Sequence, residues 1–124
     1  MHQKPPVVAV IEDDAPSRKA LGRLLRSEGF EPLLFESAEA YIDASPVAAC
    51  VIVDVRLPGM SGLDLQRKLL RAGTTLPVIV TTGTLDAVVR TRAERDGCAG
   101  FFWKPVDSDA LVAKLSSITA PSRD

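Results

Sequence analysis

The chain has 124 residues, 46% of them hydrophobic and 25% charged, with 15 Lys and Arg against 16 Asp and Glu for a net charge of −1. That length suits one domain with one core, and a near-neutral balance without a Lys/Arg cluster argues against direct nucleic-acid binding by this segment. The longest uninterrupted apolar stretch, Val47 to Val53, has seven residues, against about 20 needed to cross a bilayer; Met1 to Pro6 holds no apolar secretion core, so no membrane is involved and the expected setting is the cytoplasm.

Val7 to Ile11 reads as a first strand, ending on Glu12-Asp13-Asp14. Pro16 suits a first helical turn, and Leu21, Leu24 and Leu25 recur at helical spacing until Gly29, a natural stop. Pro32 to Phe35 is a short second strand, placed near a sheet edge because proline has no N–H to give. Ser37 caps a helix whose apolar side includes Ala38, Tyr41 and Ile42. Ala49 to Val53 is rich in β-branched residues and apolar on both faces, as a strand covered by helices should be, and it delivers Asp54 at its end. The loop Pro58-Gly59-Met60-Ser61-Gly62 leads into a helix marked by Leu63, Leu65, Leu69 and Leu70 up to Gly73.

Pro77 to Val80 is a fourth strand that runs into Thr81-Thr82-Gly83. A helix from about Asp86 to Arg95 follows, its apolar stripe thin: Leu85, Val88, Val89 and Ala93. After Gly97, Gly100 to Trp103 is a fifth strand that ends on Lys104-Pro105. Leu111, Val112, Leu115 and Ile118 give a last helix from about Ser108 to Ser117. Residues 1–120 form the expected domain, and 119–124 have the composition of a linker or C-terminal tail, so that a further domain is expected beyond them.

Strand-length runs alternating with amphipathic segments predict an α/β fold of βαβ units around a parallel sheet. The carboxyl ends of parallel strands share one edge, so Glu12, Asp13, Asp14, Asp54, Thr82 and Lys104 should meet in one pocket. Carboxylates that close repel unless a cation stands between them, which implies a divalent ion preferring oxygen ligands. Each residue alone has a plainer reading: Asp14 as a charge favouring a helix start, Thr82 as a helix cap, Lys104 as a solvated lysine. No GxGxxG or Walker loop is present, and acids at the first strand end would repel a nucleotide phosphate. His2, the one histidine, lies at the terminus, which argues against a phosphohistidine donor and a Ser-His-Asp triad. Cys50 and Cys98 have no CxxC spacing and read as free thiols.

Val10-Ile11-Glu12-Asp13-Asp14, Asp54-Val55-Arg56-Leu57-Pro58-Gly59-Met60-Ser61-Gly62, Val80-Thr81-Thr82-Gly83 and Trp103-Lys104-Pro105 together resemble the receiver domains of two-component response regulators, from about residue 6 to 118. The wording around Pro16-Ser17-Arg18-Lys19 and Ser37-Ala38-Glu39-Ala40 is similar to receivers that precede a LuxR-type DNA-binding domain. The resemblance implies a three-layer (βα)5 flavodoxin-like fold with a parallel five-stranded sheet in the order 2-1-3-4-5. It implies a phosphorylation-dependent switch that catalyses only its own phosphorylation and dephosphorylation, with Mg2+ as cofactor and a sensor histidine kinase or phosphotransfer protein as partner. Asp54, alone at the end of the most buried run, is the expected phosphoacceptor. Asp13 and Asp54 would ligate the metal, Glu12 would hold a metal-bound water, and the backbone carbonyl of Arg56 would complete the protein ligands. Asp14 is the alternative second ligand, although Arg18, five residues after Asp13, fits the family register with the Glu12/Asp13 pair.

By the same resemblance Lys104, aimed by a cis Lys104–Pro105 bond, contacts a phosphoryl oxygen, and the Thr82 hydroxyl bonds another. Phe101 changes rotamer with Thr82, while Arg56 and Thr84 tune the phosphoryl lifetime. The face made by the fourth helix, fifth strand and fifth helix would carry the signal to an output domain, a partner or a second copy, with the first and last helices as another dimer face. Arg90 and Glu94 stand where many receivers have small or apolar residues. Trp103, on the same side of its strand as Phe101, either belongs to a partner surface or covers the fourth helix. A stand-alone receiver acting through protein contacts is the alternative. A haloacid-dehalogenase-like phosphotransferase is disfavoured by Arg56, which stands where that family has a second acid.

Overall fold

The computed structural model describes residues 4–120. Elements alternate as β1 (Val7–Ile11), α1 (Ala15–Ser27), β2 (Glu31–Phe35), α2 (Ala38–Ala44), β3 (Cys50–Asp54), α3 (Gly62–Arg71), β4 (Val78–Thr82), α4 (Ala87–Arg95), β5 (Gly100–Trp103) and α5 (Ser108–Thr119). All strand pairs are parallel, in the order β2-β1-β3-β4-β5. Pro32 therefore sits in an edge strand, while β3 and β4 lie inside the sheet and are buried along their whole length.

Alternation along the strands sorts the core into two layers. Ala9, Ile11, Val51, Val53 and Val80 face one way, against Tyr41 of α2, Leu63 and Leu65 of α3 and Ala93 of α4. Val8, Val10, Ile52 and Ile79 face the other, against Leu25 of α1 and Leu111 and Leu115 of α5. Each helix begins on a short polar side chain that accepts a first-turn N–H: Asp14 from Ser17, Ser37 from Ala40, Ser61 from Asp64, Asp86 from Val88 and Asp107 from Ala110, at 2.9–3.1 Å. Asp86, and not Thr82, caps α4.

Three expectations need adjustment. Strand β4 extends to Thr82, so both threonines belong to the ladder, with Asp54 beside Thr81 and Thr82 beside Trp103. In the fourth-helix stripe only Val89 and Ala93 pack inward; Leu85 and Val88 are 83% and 72% exposed. Leu85 precedes the helix, which starts after its Asp86 cap, and Val88 lies one position off the face that Val89 and Ala93 share. Near its C-terminal end α4 is tied to α3 by polar contacts: Gln66 Nε2 donates to the Ala93 carbonyl at 2.9 Å, Arg67 pairs with Asp96 through two nitrogens at 3.2 Å, and Arg92 with Asp64 at 2.8 Å. Helix α5 also runs to Thr119, two residues beyond the predicted end. His2 and the tail from Pro121 lie outside the described residues. Among those described, no helix is long and apolar enough to cross a membrane.

The step from β3 to α3 depends on Gly62, whose N–H donates to Val55 O at 3.0 Å and whose Cα lies so close to the strand end that a Cβ would overlap the Asp54 carbonyl oxygen. A helical Gly→Ala change usually gains about 0.5–1 kcal/mol, but overpacking costs about 1–3 kcal/mol, so the clash should win. Gly62→Ala is expected to lower stability by about 1–2 kcal/mol in urea unfolding.

Candidate functional site

The parallel sheet brings the ends of β1, β3, β4 and β5 to one edge. Glu12 prolongs β1, its N–H donating to Phe35 O at 3.0 Å, and Lys104 prolongs β5, its N–H donating to Thr82 O at 2.8 Å. Glu12, Asp54 and Thr82 are buried there, whereas Asp13 is exposed at the rim. Lys104 Nζ donates to Glu12 Oε1 at 2.5 Å and to Asp54 Oδ2 at 2.8 Å, so one ammonium bridges two buried carboxylates. The other Asp54 oxygen, Oδ1, accepts the Arg56 N–H at 3.2 Å.

Glu12, Asp13 and Asp54 each offer a carboxylate oxygen within 4.8 Å of the others. Asp14 is not in this cluster, because its carboxylate caps α1. The bond from Ser17 that makes the cap also holds the Asp14 carboxyl below its usual range. Arg18 fixes the backbone of the acidic turn from behind, donating to the carbonyls of Glu12 at 2.8 Å and Asp13 at 3.3 Å. Of the predicted set, Glu12, Asp13, Asp54 and Lys104 are thus in one cluster, and the Lys104–Pro105 peptide is cis.

The electrostatics follow from burial and count. Burial pushes the Glu12 carboxyl above its usual value, and neighbouring Asp54 adds to this against the opposing Lys104 bond. For Lys104 burial works against the charged form, but the bonds to Asp54 and Glu12 outweigh it and raise the ammonium pKa. Three carboxylates face one ammonium. The set is oxygen-only and in anionic excess, which fits a hard divalent cation better than a thiolate- or imidazole-binding metal. Beside it opens a cleft of about 590 Å³ between α1 and the segment after β5, lined by Ser17, Leu21, Leu24, Pro105 and Val106.

On the other side of β5, Phe101 is half-buried against the core and meets Trp103 edge-on, ring centroids 4.9 Å apart. The Arg90 guanidinium lies 5.8 Å from the Phe101 centroid and pairs with Glu94 at 3.4 Å. Arg90, Glu94, Phe101 and Trp103 therefore form one cluster, remote in sequence from the carboxylates but joined to them through β4 and β5. Thr82 Oγ1 accepts the Thr84 N–H at 3.1 Å, which folds the post-β4 turn back on the strand. Glu39 escaped the sequence reading as a site neighbour: it accepts the Met60 N–H at 2.8 Å from 21 positions away. Only its place in Ser37-Ala38-Glu39-Ala40 drew attention to it, and nothing there signals a long-range bond.

Residues 8–116 match the family model described as response regulator receiver domain. The chain belongs to that family. This receiver is 37% identical over 112 residues to the transcriptional regulatory protein FixJ of Bradyrhizobium diazoefficiens, covering 89% of this chain and 55% of FixJ. It is 37% identical over 117 residues to the response regulator protein TmoT of Ectopseudomonas mendocina, covering 93% and 53%. The structure of full-length FixJ from B. japonicum superposes with a TM-score of 0.84 at 35% identity, over 94% of the receiver and 58% of that chain. A response regulator receiver protein from Pseudomonas putida superposes at 0.83 with 30% identity, over 94% and 99%. The chain spans about half the length of the curated relatives it matches.

The bridging ammonium makes a direct prediction. In Lys104→Met, Glu12 and Asp54 should lose their shared partner, costing about 1–3 kcal/mol at pH 7.5 once the part-exposure of Lys104 is allowed for. The sign with pH is fixed by Glu12: a folded pKa above the unfolded one favours folding at low pH and loses that contribution as pH rises through the folded value. The deficit of the variant should therefore be small near pH 4 and grow through the raised Glu12 titration, as read by urea unfolding at a series of pH values.

Proposed function

We propose that this receiver is a phosphorylation-dependent switch in which Asp54 accepts a phosphoryl group from a histidine kinase or phosphotransfer protein. The observation that carries the reading is the Asp54 carboxylate at a strand end, buried beside two further carboxylates and bridged to one of them by Lys104. In the transfer an Asp54 oxygen forms a new bond to phosphorus while the phosphorus–nitrogen bond of the donor breaks, and the donor imidazole leaves with the electron pair and takes up a proton. Asp54 attacks as the free carboxylate, so no base is needed. The obstacle is repulsion between anions, since the incoming group is itself negative.

Asp13 and Asp54, with Glu12 acting through water and the Arg56 carbonyl, would hold Mg2+. When bound, Mg2+ supplies positive charge that offsets the carboxylates and the phosphoryl oxygens. The chain's own residues do the rest. Lys104 is already charged, and its Nζ lies 2.8 Å from Asp54 Oδ2, ready to follow the new phosphoryl oxygens. The Arg56 N–H holds the orientation of Asp54 through Oδ1. The cleft between α1 and the segment after β5 gives a partner carrying the phosphohistidine access beside Glu12 and Lys104, with Leu21 and Leu24 as apolar footing.

Phosphorylation adds roughly −1.5 to −2 charges and new acceptor oxygens at Asp54. Thr82, whose Oγ1 accepts the Thr84 N–H, would give its hydroxyl to one of them. Movement of that turn reaches Phe101 through β4, and from there Arg90 and Trp103, so Thr82 and Phe101 act as the switch while Arg56 and Thr84 set the phosphoryl lifetime. The α4-β5-α5 face, with Leu85 and Val88 exposed and Arg90, Glu94 and Trp103 beside them, is the output surface for an attached domain, a partner or a second copy. The match covers 55% of FixJ, a transcriptional regulatory protein, which supports a transcriptional output in a longer protein, with residues 1–120 as the receiver and a linker after it. A full shift from 1:99 to 99:1 takes about 5.5 kcal/mol, while an exposed cation–π contact is worth about 0.5–1 kcal/mol, so the Arg90 contact biases the switch without locking it.

The test is intact-mass measurement after incubation with Mg2+ and a small acyl phosphate. A gain of one phosphate that disappears in Asp54→Asn is expected. Absence of any gain with acyl phosphates or phosphohistidine donors would refute the reading.

A further inference from the structure

Between Asp54 and helix α3 the chain passes through Val55 to Ser61, and the Arg56 carbonyl lies on this stretch. Its ends are fixed: the Val55 N–H donates to Thr81 O at 2.9 Å and the Gly62 N–H to Val55 O at 3.0 Å. Among the described residues, positions 57–60 make a single hydrogen bond, from the Met60 N–H to Glu39 Oε2 at 2.8 Å. Glu39 reaches across from the first turn of α2, a different element.

The fit is close on both sides. Gly59 has φ +73°, and a Cβ there would stand 2.5 Å from Glu39 Oε2, so the carboxylate occupies the space that any larger residue would fill. The Met60 N–H holds the exposed Glu39 carboxyl below its usual range, and a glutamate is ionised at neutral pH in any case. An ionised acceptor makes the stronger, charge-assisted kind of bond. Besides this bond, the Arg56 N–H donates to Asp54 Oδ1 at 3.2 Å, which ties the peptide before Arg56 and not the one that carries its carbonyl, and Leu57 and Met60 pack against the core, which limits depth but does not orient a carbonyl.

We propose that Glu39 is a positioning residue for the metal-binding loop: by clamping the Met60 N–H from α2 it holds the Arg56 carbonyl in the orientation that receives Mg2+. This rests on the site reading given under Proposed function. Glu39 touches neither metal nor phosphoryl group and acts through backbone alone. Groups that orient a metal ligand in this way typically change affinity by about 10- to 100-fold when removed, and an exposed carboxylate acting through four residues of backbone should fall below that range, at about threefold to tenfold.

The experiment compares wild type, Glu39→Ala, Glu39→Gln and Asp13→Asn by Mg2+ titration calorimetry and by amide NMR of Met60 without metal. Glu39→Ala should weaken Mg2+ binding about threefold to tenfold and speed hydrogen exchange at the Met60 amide. Glu39→Gln keeps an acceptor oxygen and should recover most of both, and the thermal midpoints of the two variants should agree closely. A purely structural role would move the midpoints and leave the Ala/Gln difference in Mg2+ affinity absent. If wild type binds Mg2+ and Asp13→Asn does not, but Glu39→Ala binds as tightly as wild type, the inference fails while the site reading stands. It fails equally if Glu39→Gln is as weak as Glu39→Ala. If wild type itself binds no Mg2+, the site reading and the inference fall together.

Discussion

A single ammonium shared by two buried carboxylates is the interaction on which the rest depends. Glu12 and Asp54 come from strands β1 and β3, and Lys104 from the end of β5, so their meeting requires the parallel order of the whole sheet. Without a cation between them the two carboxylates would oppose burial and each other. Lys104 supplies such a cation from the chain itself. It is also a weak compromise, since one positive charge answers three carboxylates. An oxygen-only cluster in anionic excess suits a hard divalent cation, which the switch proposed above would need.

The same constraint shapes what lies around the pocket. Gly62 lets α3 start against the Asp54 carbonyl, and Arg18 ties down the Glu12–Asp13 backbone, so the carboxylates are held from both sides. Helix α4 contrasts with this rigidity. It is anchored to α3 through Gln66, Arg67 and Asp64 near its C-terminal end, while Val88 at its start is exposed. Gln66 Oε1 is buried and has no partner among the described residues. An unmade bond of this kind costs about 1–3 kcal/mol, so the α3–α4 seam is not at its stability optimum. A helix fastened at one end by polar contacts is a more suitable moving part than one sealed into the core.

Much of this was legible in the sequence because it depends on period and order. Runs of β-branched residues alternating with helical stripes gave the parallel sheet, and the strand ends then placed Glu12, Asp13, Asp54 and Lys104 together without any knowledge of side-chain geometry. Spacing also put Phe101 and Trp103 on one side of β5, where their rings meet. What escaped depends on side-chain reach between elements, which no period encodes. Leu85 and Val88 fitted an apolar stripe, but α4 starts only after the Asp86 cap, which leaves Leu85 ahead of the helix and Val88 off its inner face. Glu39 looked like any first-turn acid until its bond to Met60 was seen. The register of Arg18 already favoured Asp13 over Asp14, and the Asp14 carboxylate is indeed turned to cap α1.

The most direct measurement is the Mg2+ binding isotherm of Lys104→Met beside wild type at neutral pH. If Lys104 is the cation that Glu12 and Asp54 share, removing it takes away a competing positive charge, and the variant should bind Mg2+ as tightly as wild type or more tightly although its fold is weaker. Loss of Mg2+ binding in a folded Lys104→Met protein would contradict the shared-cation view of the site.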